Sequence, residues 1–232
     1  MKLSIVIPAY NEEENLPDLL AQIRKLKIDG FQIETVVVND NSSDGTADVV
    51  RRFGVEMIDL PVNLGIGGAV QTGMIYALQT GADFAVQVDG DGQHPPREIA
   101  KLLAEARQSA ADVVVGSRFI DRKGFQSSGM RRAGIKYLRL VIKMLTGLDI
   151  SDSTSGFRLY NRRALEAIKE YYPDEYPEPE AIIYFYKKGL KIKETPVVME
   201  DRRGGKTSIS FFNSIYYFWK VSLAIFFSYL KS

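Results

Sequence analysis

The stretch FAVQVDGDGQHPPREIAKLLAEA, residues 84–106, joins a short apolar run to an amphipathic segment through a turn that carries two carboxylates. The run is apolar on consecutive residues, a pattern typical of a strand that is covered on both faces. Pro95 and Pro96 then open the segment 96–108, whose apolar spacing predicts a helix. A strand followed by a helix is the repeating unit of a parallel sheet.

The same unit recurs on both sides of this stretch. Four more apolar runs predict strands: LSIVIPAY, ETVVVND, VEMIDL and DVVVGSR. Helical patterns lie between them near residues 12–27, 44–53 and 66–80. The sequence therefore predicts the α/β class, with a mostly parallel central sheet flanked by helices on both faces.

The pattern changes after residue 120. A loop with glycine and serine leads to a basic helix over 131–145, and SDSTSGFRLY predicts a turn that runs into a strand. A weak helix near 178–187 precedes a last strand in LKIKETPVV. We expect this half of the chain to bind the second substrate.

Composition excludes several classes of protein. The 232 residues carry 30 Lys and Arg against 29 Asp and Glu, which gives no global basic field to attract nucleic acid. The chain has no cysteine, so disulfides, thiolate metal sites and cysteine nucleophiles are excluded. The first apolar stretch is too short for a signal peptide and is followed by NEEEN, so we expect the body of the protein to stay in the cytosol.

Polar clusters follow nearly every predicted strand: Tyr10-Asn11-Glu12, Asn39-Asp40, Asn63, Asp89-Gly90-Asp91 and Ser117-Arg118. In an open α/β sheet, ligands bind at the edge where the carboxyl ends of the strands meet. Ordinary polar loops would explain one or two such clusters but explain five poorly. The sequence therefore predicts a ligand site at this edge.

Asp89 and Asp91 are the candidate metal ligands. Their i, i+2 spacing on an extended segment places both side chains on one side, and Gln93 offers a further oxygen. Mg²⁺ or Mn²⁺ held by one or two carboxylates completes its shell with water and substrate phosphates. The alternative is a plain Asp-Gly turn. His94, the only histidine, is predicted to position the loop rather than to bind the metal.

The stretch NLGIGGAVQTG, residues 63–73, places glycines where a loop enters a helix, so backbone amides there can approach a phosphate or ribose. It is not a dinucleotide fingerprint, because PAYNE follows the first strand. That argues against a nicotinamide enzyme. The chain also lacks a Walker lysine loop and the glycine-rich loop of nucleotidyltransferases.

Six ordered motifs resemble the family 2 glycosyltransferases, most closely the dolichyl-phosphate mannose synthase group: IVIPAYNEEENL, VVVNDNSSDGT, NLGIGGAVQTG, QVDGDGQHPP, GSRF and STSGFRLYNRRAL. The resemblance runs from residue 3 to about residue 210. It implies a GT-A fold, inversion at the anomeric carbon, and transfer to a polyprenyl phosphate on the cytosolic face of a membrane.

The resemblance also implies roles for residues at the strand ends. The nucleotide-sugar donor would contact Pro8, Ala9, Tyr10, Glu12, Asp40, Asn63, Gly68, Gln87, Asp89, Gly90 and Asp91. The metal would lie on Asp89, Asp91 and Gln93. The family frequently has Asp-Asp after the second strand, whereas this chain has Asn39-Asp40 and keeps only the second acid.

A polyprenyl phosphate carries about −1.5 to −2 charge near neutrality, and arginine suits bidentate phosphate contacts. The predicted acceptor residues are Arg118, Arg131, Arg132, Arg158 and Arg202, with Ser155 orienting the site. A phosphate oxygen needs no general base. Glu180 holds the position of a base carboxylate in relatives that glycosylate hydroxyls, and its alternative role is a carboxylate at a helix start. The predicted catalytic set is therefore Asp91, Arg118, Arg131 and Glu180.

Two C-terminal segments extend this picture. The loop RRGGKTS, with Arg202, Arg203 and Lys206, is predicted to close over the diphosphate, and a solvated basic loop is the alternative. The apolar, aromatic segment 208–232 predicts a helix in the membrane interface, in preference to a spanning helix or one packed on the body or a partner. A small membrane protein or a second copy would be such a partner. Residues 1–207 would form the transferase domain, with a donor half over 1–118 and an acceptor half over 119–207.

Three functions remain open at this point. The leading one is transfer of a hexose or N-acetylhexosamine to a polyprenyl phosphate, from a UDP-sugar such as UDP-N-acetylglucosamine or UDP-glucose, or from GDP-mannose. The second is transfer to a sugar hydroxyl during polysaccharide synthesis. The third is a non-catalytic subunit that docks at a membrane and keeps only the fold.

Overall fold

A computed structural model describes residues 1–124, 129–201 and 211–230, without the side chains of residues 130, 131 and 211–219. The strands are β1 (Lys2–Ala9), β2 (Gln32–Asn39), β3 (Glu56–Asp59), β4 (Phe84–Gln87), β5 (Val113–Ser117), β6 (Arg158–Asn161) and β7 (Ile192–Pro196). The helices are α1 (Leu16–Lys25), α2 (Thr46–Phe53), α3 (Gly65–Gln79), α4 (Ile99–Ser109), α5 (Gly129–Thr146), α6 (Arg162–Glu170), α7 (Pro177–Lys187) and α8 (Phe211–Leu230). A short 3-10 turn, Pro96–Glu98, precedes α4.

The strands form one sheet in the order β3-β2-β1-β4-β6-β5-β7. All neighbouring pairs are parallel except those of β6, which runs antiparallel to β4 and to β5. The predicted mostly parallel sheet is confirmed. The order reverses at β1, which has β2 on one side and β4 on the other, so a ligand crevice is expected at the carboxyl ends of these strands.

Apolar residues on consecutive strand positions pack into two different cores. Val6 on β1 faces the helices α3, α6 and α7, whereas its neighbours Ile5 and Ile7 face α1, α2 and α4. Both faces of the sheet are therefore covered, which is why the runs in the sequence do not alternate between apolar and polar residues.

Helix α3 packs unusually close to the sheet at Gly73. A Cβ atom on Gly73 would lie 2.3 Å from Val6 Cγ1 and 3.0 Å from Val38 Cγ2. Only glycine allows this approach without displacing β1 and β2. The close packing fixes where the first turn of α3 meets the ends of those strands.

Helix α8 packs on α7 and α5 through one face, which buries Val221 and Ile225. Among its described side chains, from residue 220 on, the exposed apolar ones are Leu223, Phe226, Phe227, Tyr229 and Leu230. Among the described residues, no helix combines the length and the hydrophobicity needed to cross a membrane. The tail thus contacts the protein body on one side, which the sequence had disfavoured, and keeps an apolar face on the other.

Candidate active site

A cleft of about 720 Å³ opens at the carboxyl ends of β1, β2 and β4. Its lining consists of Pro8, Ala9, Tyr10, Asn11, Glu12, Asp40, Asn63, Gly65, Ile66, Ala69, Asp89, Gly90 and Asp91. Every predicted donor residue except Gly68 and Gln87 is in this lining. The sequence did not single out Asn11, Gly65, Ile66 and Ala69 as donor contacts, although all four lie inside motifs that it did single out.

The two exceptions support the cleft without lining it. A Cβ atom on Gly68 would lie 2.6 Å from Leu64 Cβ, so this glycine makes room for a side chain of the preceding turn. Gln87 is buried, and its Nε2 donates to Asp89 Oδ1 at 2.9 Å. Gln87 therefore orients a carboxylate of the cleft. Gln87 and Asp89 are two positions apart, so their side chains point to the same side of the extended segment.

The loops after β1 and β2 are linked by hydrogen bonds. Asn11 has a φ of 55°, a left-handed conformation that asparagine tolerates, and its Oδ1 accepts from the Ser43 backbone N–H at 2.8 Å. The Glu12 backbone N–H donates to Thr46 Oγ1 at 2.9 Å. The two loops thus form one rim, on which the Tyr10 ring is exposed.

Asp40 fixes the start of α3. Its two carboxylate oxygens accept from the backbone N–H groups of Leu64 at 2.7 Å and Gly65 at 3.0 Å. A carboxylate is stabilising at this position because the amino end of a helix carries unpaired N–H groups and partial positive charge. Asp40 lines the cleft as predicted, and its contact with the nucleobase stays a prediction.

The two carboxylates of Asp89 and Asp91 fit a hard cation, whereas Gln93 does not line the cleft and its role as a metal ligand stays a prediction. Asp89 and Asp91 are both partly exposed in the cleft, and Asp91 Oδ1 accepts from the Gln93 N–H at 3.0 Å. Gln93 is also paired with Glu200, whose backbone N–H donates to its carbonyl at 3.1 Å. In the described part of the chain, no group of three or more His, Cys, Asp or Glu side chains is arranged to hold a metal. Two oxygen ligands completed by water and phosphate match the way that Mg²⁺ is usually bound.

The two glutamates at the start of α7, Glu178 and Glu180, have different surroundings. Burial lowers the pKa of Arg118, but the hydrogen bonds and charge of Asp152 outweigh it, with smaller contributions from Asp89 and Glu178, and the pKa is raised. Glu180 instead lines a separate groove between α7 and α8, beside Tyr184. Positions two apart on a helix do not share a face. Glu180 does not line the carboxylate cleft, and its catalytic role stays a prediction.

The predicted acceptor arginines separate into different environments. Arg118 is at the end of β5, and its guanidinium binds Asp152. Arg158 has 0% of its surface exposed, and its Nε and Nη2 donate to the carbonyls of Ser155 and Ser153 at 2.8 and 3.0 Å. The Ser155 hydroxyl is buried and accepts from the Phe157 N–H.

Arg158 and Ser155 thus brace the turn before β6, and their predicted contact with an acceptor stays a prediction. Their burial follows from the place of β6 in the interior of the sheet, between β4 and β5. The side chain of Arg131 and the whole of Arg202, with the rest of the predicted closing loop, lie outside the described residues.

A second pocket, of about 410 Å³, lies beside the first turns of α5. Its lining is strongly cationic and includes Arg122, Arg132, Lys136 and Arg139, with Phe119 and Ile135 among its apolar members. Arg132 was predicted as an acceptor residue, whereas the other three cations were missed. The spacing of Arg132, Lys136, Arg139 and Lys143 along one helix face was the signal available in the sequence.

Residues 4–169 match the family model described as glycosyl transferase family 2, and the chain belongs to that family. It is 32% identical over 229 residues to a dolichyl-phosphate beta-glucosyltransferase of Trichomonas vaginalis, covering 90% of this chain and 68% of the relative. It is 30% identical over 213 residues to a UDP-N-acetylglucosamine–dolichyl-phosphate N-acetylglucosaminyltransferase of Methanococcus voltae, covering 83% of each.

The fold is shared with a solved glycosyltransferase. Glucosyl-3-phosphoglycerate synthase from Mycobacterium tuberculosis, in a crystal with Mn²⁺, uridine diphosphate and phosphoglyceric acid, aligns with a TM-score of 0.71 at 20% identity. The alignment covers 99% of this chain and 78% of that one. The α/β GT-A fold predicted from the sequence is confirmed.

Proposed function

We propose that this protein transfers a hexose or an N-acetylhexosamine from a nucleotide sugar to a polyprenyl phosphate, with inversion at the anomeric carbon. A UDP-sugar is the favoured donor, and GDP-mannose is the other. The observation that carries the proposal is the pairing of a carboxylate cleft at the ends of β1, β2 and β4 with a cationic pocket that Phe119, just after β5, lines. The charge of Arg118, the residue before Phe119, interacts with Asp89 of the cleft. The named relatives, which act on dolichyl phosphate, support the same acceptor class.

The cleft suits the donor. Tyr10 offers an exposed ring at the rim, on which a nucleobase can stack. Asp89 and Asp91, with Gln93, would hold Mg²⁺ or Mn²⁺, which when bound neutralises the charge that develops on the departing diphosphate. The crystal of the mycobacterial neighbour with Mn²⁺ and uridine diphosphate supports this donor chemistry.

The cationic pocket suits the acceptor phosphate. Arg132, Lys136 and Arg139 line it together, and guanidinium groups bind phosphate through paired N–H donors. A phosphate oxygen is already deprotonated near neutrality, so the reaction needs positioning rather than a general base. The location of Glu180 outside the cleft agrees with a reaction that uses no base at that position. Arg118 is held in place by its ion pair with Asp152.

The exposed faces of α5 and α8 suit a membrane surface. On α5 the exposed apolar residues Tyr137, Leu140 and Met144 lie beside the cationic row, and on α8 the exposed residues follow helical spacing. The Ser222 hydroxyl donates to the Tyr137 hydroxyl at 3.2 Å, so the two faces adjoin.

Aromatic and aliphatic side chains next to lysine and arginine are typical of helices that lie in an anionic membrane interface. We therefore place the protein on the cytoplasmic face of the membrane, attached through α8 and α5. The alternative binding partners for the exposed face of α8 are a small membrane protein and a second copy of the chain.

A calorimetric titration tests the donor half of the proposal. UDP, GDP and their sugar conjugates are titrated into the protein with and without Mn²⁺, and into Asp91→Asn and the surface control Asp29→Asn. We expect Mn²⁺-dependent binding of one nucleotide that Asp91→Asn abolishes and the control retains. If the parent protein binds none of these nucleotides or nucleotide sugars, the donor assignment is refuted.

Sugar transfer to undecaprenyl phosphate then tests the acceptor half. A labelled form of the donor that bound is supplied, and the lipid product is measured. We expect the combined change of Arg132→Ala and Lys136→Ala to raise the KM for the lipid without weakening nucleotide binding. An unchanged KM in that variant would refute the acceptor pocket.

A further inference from the structure

We propose that His94 is the positioning residue of Asp89, holding both its backbone and its carboxylate from beneath the cleft. His94 is 4% exposed, and its Nδ1 accepts a hydrogen bond from the Asp89 backbone N–H at 3.0 Å. Its Nε2 lies 3.7 Å from Asp89 Oδ2. The inference rests on the proposed function, because it takes Asp89 to be a ligand of the donor's metal.

The imidazole ring is itself held by an aromatic neighbour. It stacks on the buried ring of Phe157, with centroids 4.9 Å apart and planes 10° from parallel. A Cβ atom on Gly116 would lie 3.2 Å from Phe157 Cδ1, so the Phe157 ring packs closely against β5. Pro95 follows His94 and restricts its backbone to extended conformations. These contacts give the ring one orientation.

That orientation determines what each ring nitrogen does. Since Nδ1 accepts an N–H, the ring proton lies on Nε2, which faces Asp89 Oδ2. Gln87 donates to the other carboxylate oxygen, Oδ1, at 2.9 Å. Asp89 is therefore held by hydrogen bonds at its amide and at Oδ1, with Nε2 of His94 near Oδ2, while part of its surface stays open to the cleft.

The consequence is a carboxylate whose direction is set before any ligand arrives. Groups that orient a metal-binding side chain typically change metal affinity about 10- to 100-fold when they are removed. His94 is not in the lining of the cleft and does not meet the reacting atoms, so its effect is expected in the binding of metal and nucleotide rather than in a proton transfer.

Three substitutions separate positioning from simple space filling. His94→Phe keeps a ring for Phe157 to stack on and removes both nitrogens. His94→Asn places a polar group near the position of Nδ1, and His94→Gln places one near Nε2. Two quantities are measured on the full chain: the Mn²⁺-dependent affinity for the nucleotide, and the hydrogen exchange rate of the Asp89 amide without metal.

We expect His94→Phe to lose about 10- to 100-fold in Mn²⁺-dependent nucleotide affinity and to exchange the Asp89 amide faster. His94→Asn should recover part of both quantities, and His94→Gln should recover less of the amide protection. If His94→Phe keeps both within twofold of the parent, the ring only fills space and the inference is overturned.

Other results remain decisive. Should His94→Phe fail to fold, the comparison of His94→Asn with His94→Gln takes its place, and equal amide exchange in those two would overturn the inference. A parent protein that binds no nucleotide with Mn²⁺ would refute the proposed function instead, and the Asp89 amide exchange of the variants would still decide the role of His94.

Discussion

Arg118 and Asp152 form a buried, bidentate ion pair. Nε and Nη2 of Arg118 donate to the two carboxylate oxygens of Asp152 at 2.7 and 2.8 Å, and the side chains are only 7% and 0% exposed. The Arg118 backbone N–H donates to the same carboxylate at 3.1 Å. Removal of one partner from such a pair leaves a buried charge uncompensated.

We predict that Asp152→Ala lowers the free energy of unfolding by about 3 to 5 kcal/mol. Asp149→Ala is the matched control, because Asp149 pairs with Arg139 and Lys143 at the surface. Pairs of that kind contribute less than about 1 kcal/mol. Urea unfolding of both variants checks the prediction, and similar losses in the two would contradict it.

A second prediction concerns the two glutamates at the start of α7. Glu178 interacts electrostatically with Arg118, whereas Glu180 lines the groove beside Tyr184. We predict that Glu178→Gln reduces kcat/KM for sugar transfer by about 10- to 100-fold, since it removes a charge that interacts with Arg118. Glu180→Gln should stay within about twofold of the parent. The opposite order would restore Glu180 as the base and favour a hydroxyl acceptor.

The sequence predicted the sheet and the location of the cleft because both depend on local patterns. Consecutive apolar residues identified β1, β2, β4 and β5, and parallel strands must bring their carboxyl ends to one edge. Helix α6 was missed, because no turn residues separate it from β6. Asn161 ends the strand, and its side chain caps the helix by accepting from the Ala164 N–H at 3.0 Å.

The sequence could not determine which predicted site residues face the ligand. Whether Glu178 or Glu180 faces the cleft depends on the rotation of α7, which tertiary packing sets. In the sequence Arg158 is not distinguished from the other arginines, whereas the antiparallel pairing of β6 with β4 and β5 places it in the interior of the sheet. Arg122 lines the cationic pocket from the loop after β5 and not from α5, so the helical spacing of the other cations could not reveal it.

A third prediction tests the close packing of α3. Gly73→Ala places a methyl group against Val6 and Val38 at distances that no side chain tolerates. We predict a loss of about 1 to 3 kcal/mol in the free energy of unfolding from overpacking. In Gly129→Ala the nearest contact of the new methyl group is Arg132 Nη2 at 4.0 Å, so this control should be neutral or stabilising. Thermal unfolding of both variants measures the losses. If Gly73→Ala and Gly129→Ala lose the same free energy of unfolding, α3 can shift away from the sheet.

The fourth prediction is a pH dependence at Glu194. Burial raises the pKa of this carboxyl above its usual 4.5, and hydrogen bonds from Ser151 and Asp152 offset the effect only in part. The folded state therefore binds the proton more tightly than the unfolded state does. The stabilising contribution of Glu194 is complete below its ordinary pKa and is lost as the pH rises through the raised value.

Relative to Glu194→Gln, the parent should gain free energy of unfolding as the pH is lowered from about 7 toward 4.5, the usual pKa of the group. Urea unfolding of both proteins at several pH values in this window measures the difference. Glu166→Gln, on the exposed surface of α6, serves as the reference substitution. The prediction is contradicted if the free energy of unfolding of the parent relative to Glu194→Gln stays constant or falls as the pH is lowered.

The fifth prediction concerns the apolar face of α8. Phe226 and Phe227 are 48% and 59% exposed, on a helix whose opposite face is already packed on the body. Burial of a phenylalanine side chain contributes roughly 1.5 to 3 kcal/mol, so each ring that enters the interface strengthens membrane binding by about 10-fold or more. We predict that the double change of Phe226→Ser and Phe227→Ser lowers partition into vesicles of phosphatidylcholine and phosphatidylglycerol by about 100-fold.

Val62→Ser, at an equally exposed apolar residue after β3, should leave partition unchanged. Lys136→Gln should weaken binding to these anionic vesicles by about 1 kcal/mol and leave binding to vesicles of phosphatidylcholine alone unchanged. If partition survives the loss of both rings, α8 is not the attachment surface, and a partner protein or a second copy becomes the better occupant of its exposed face.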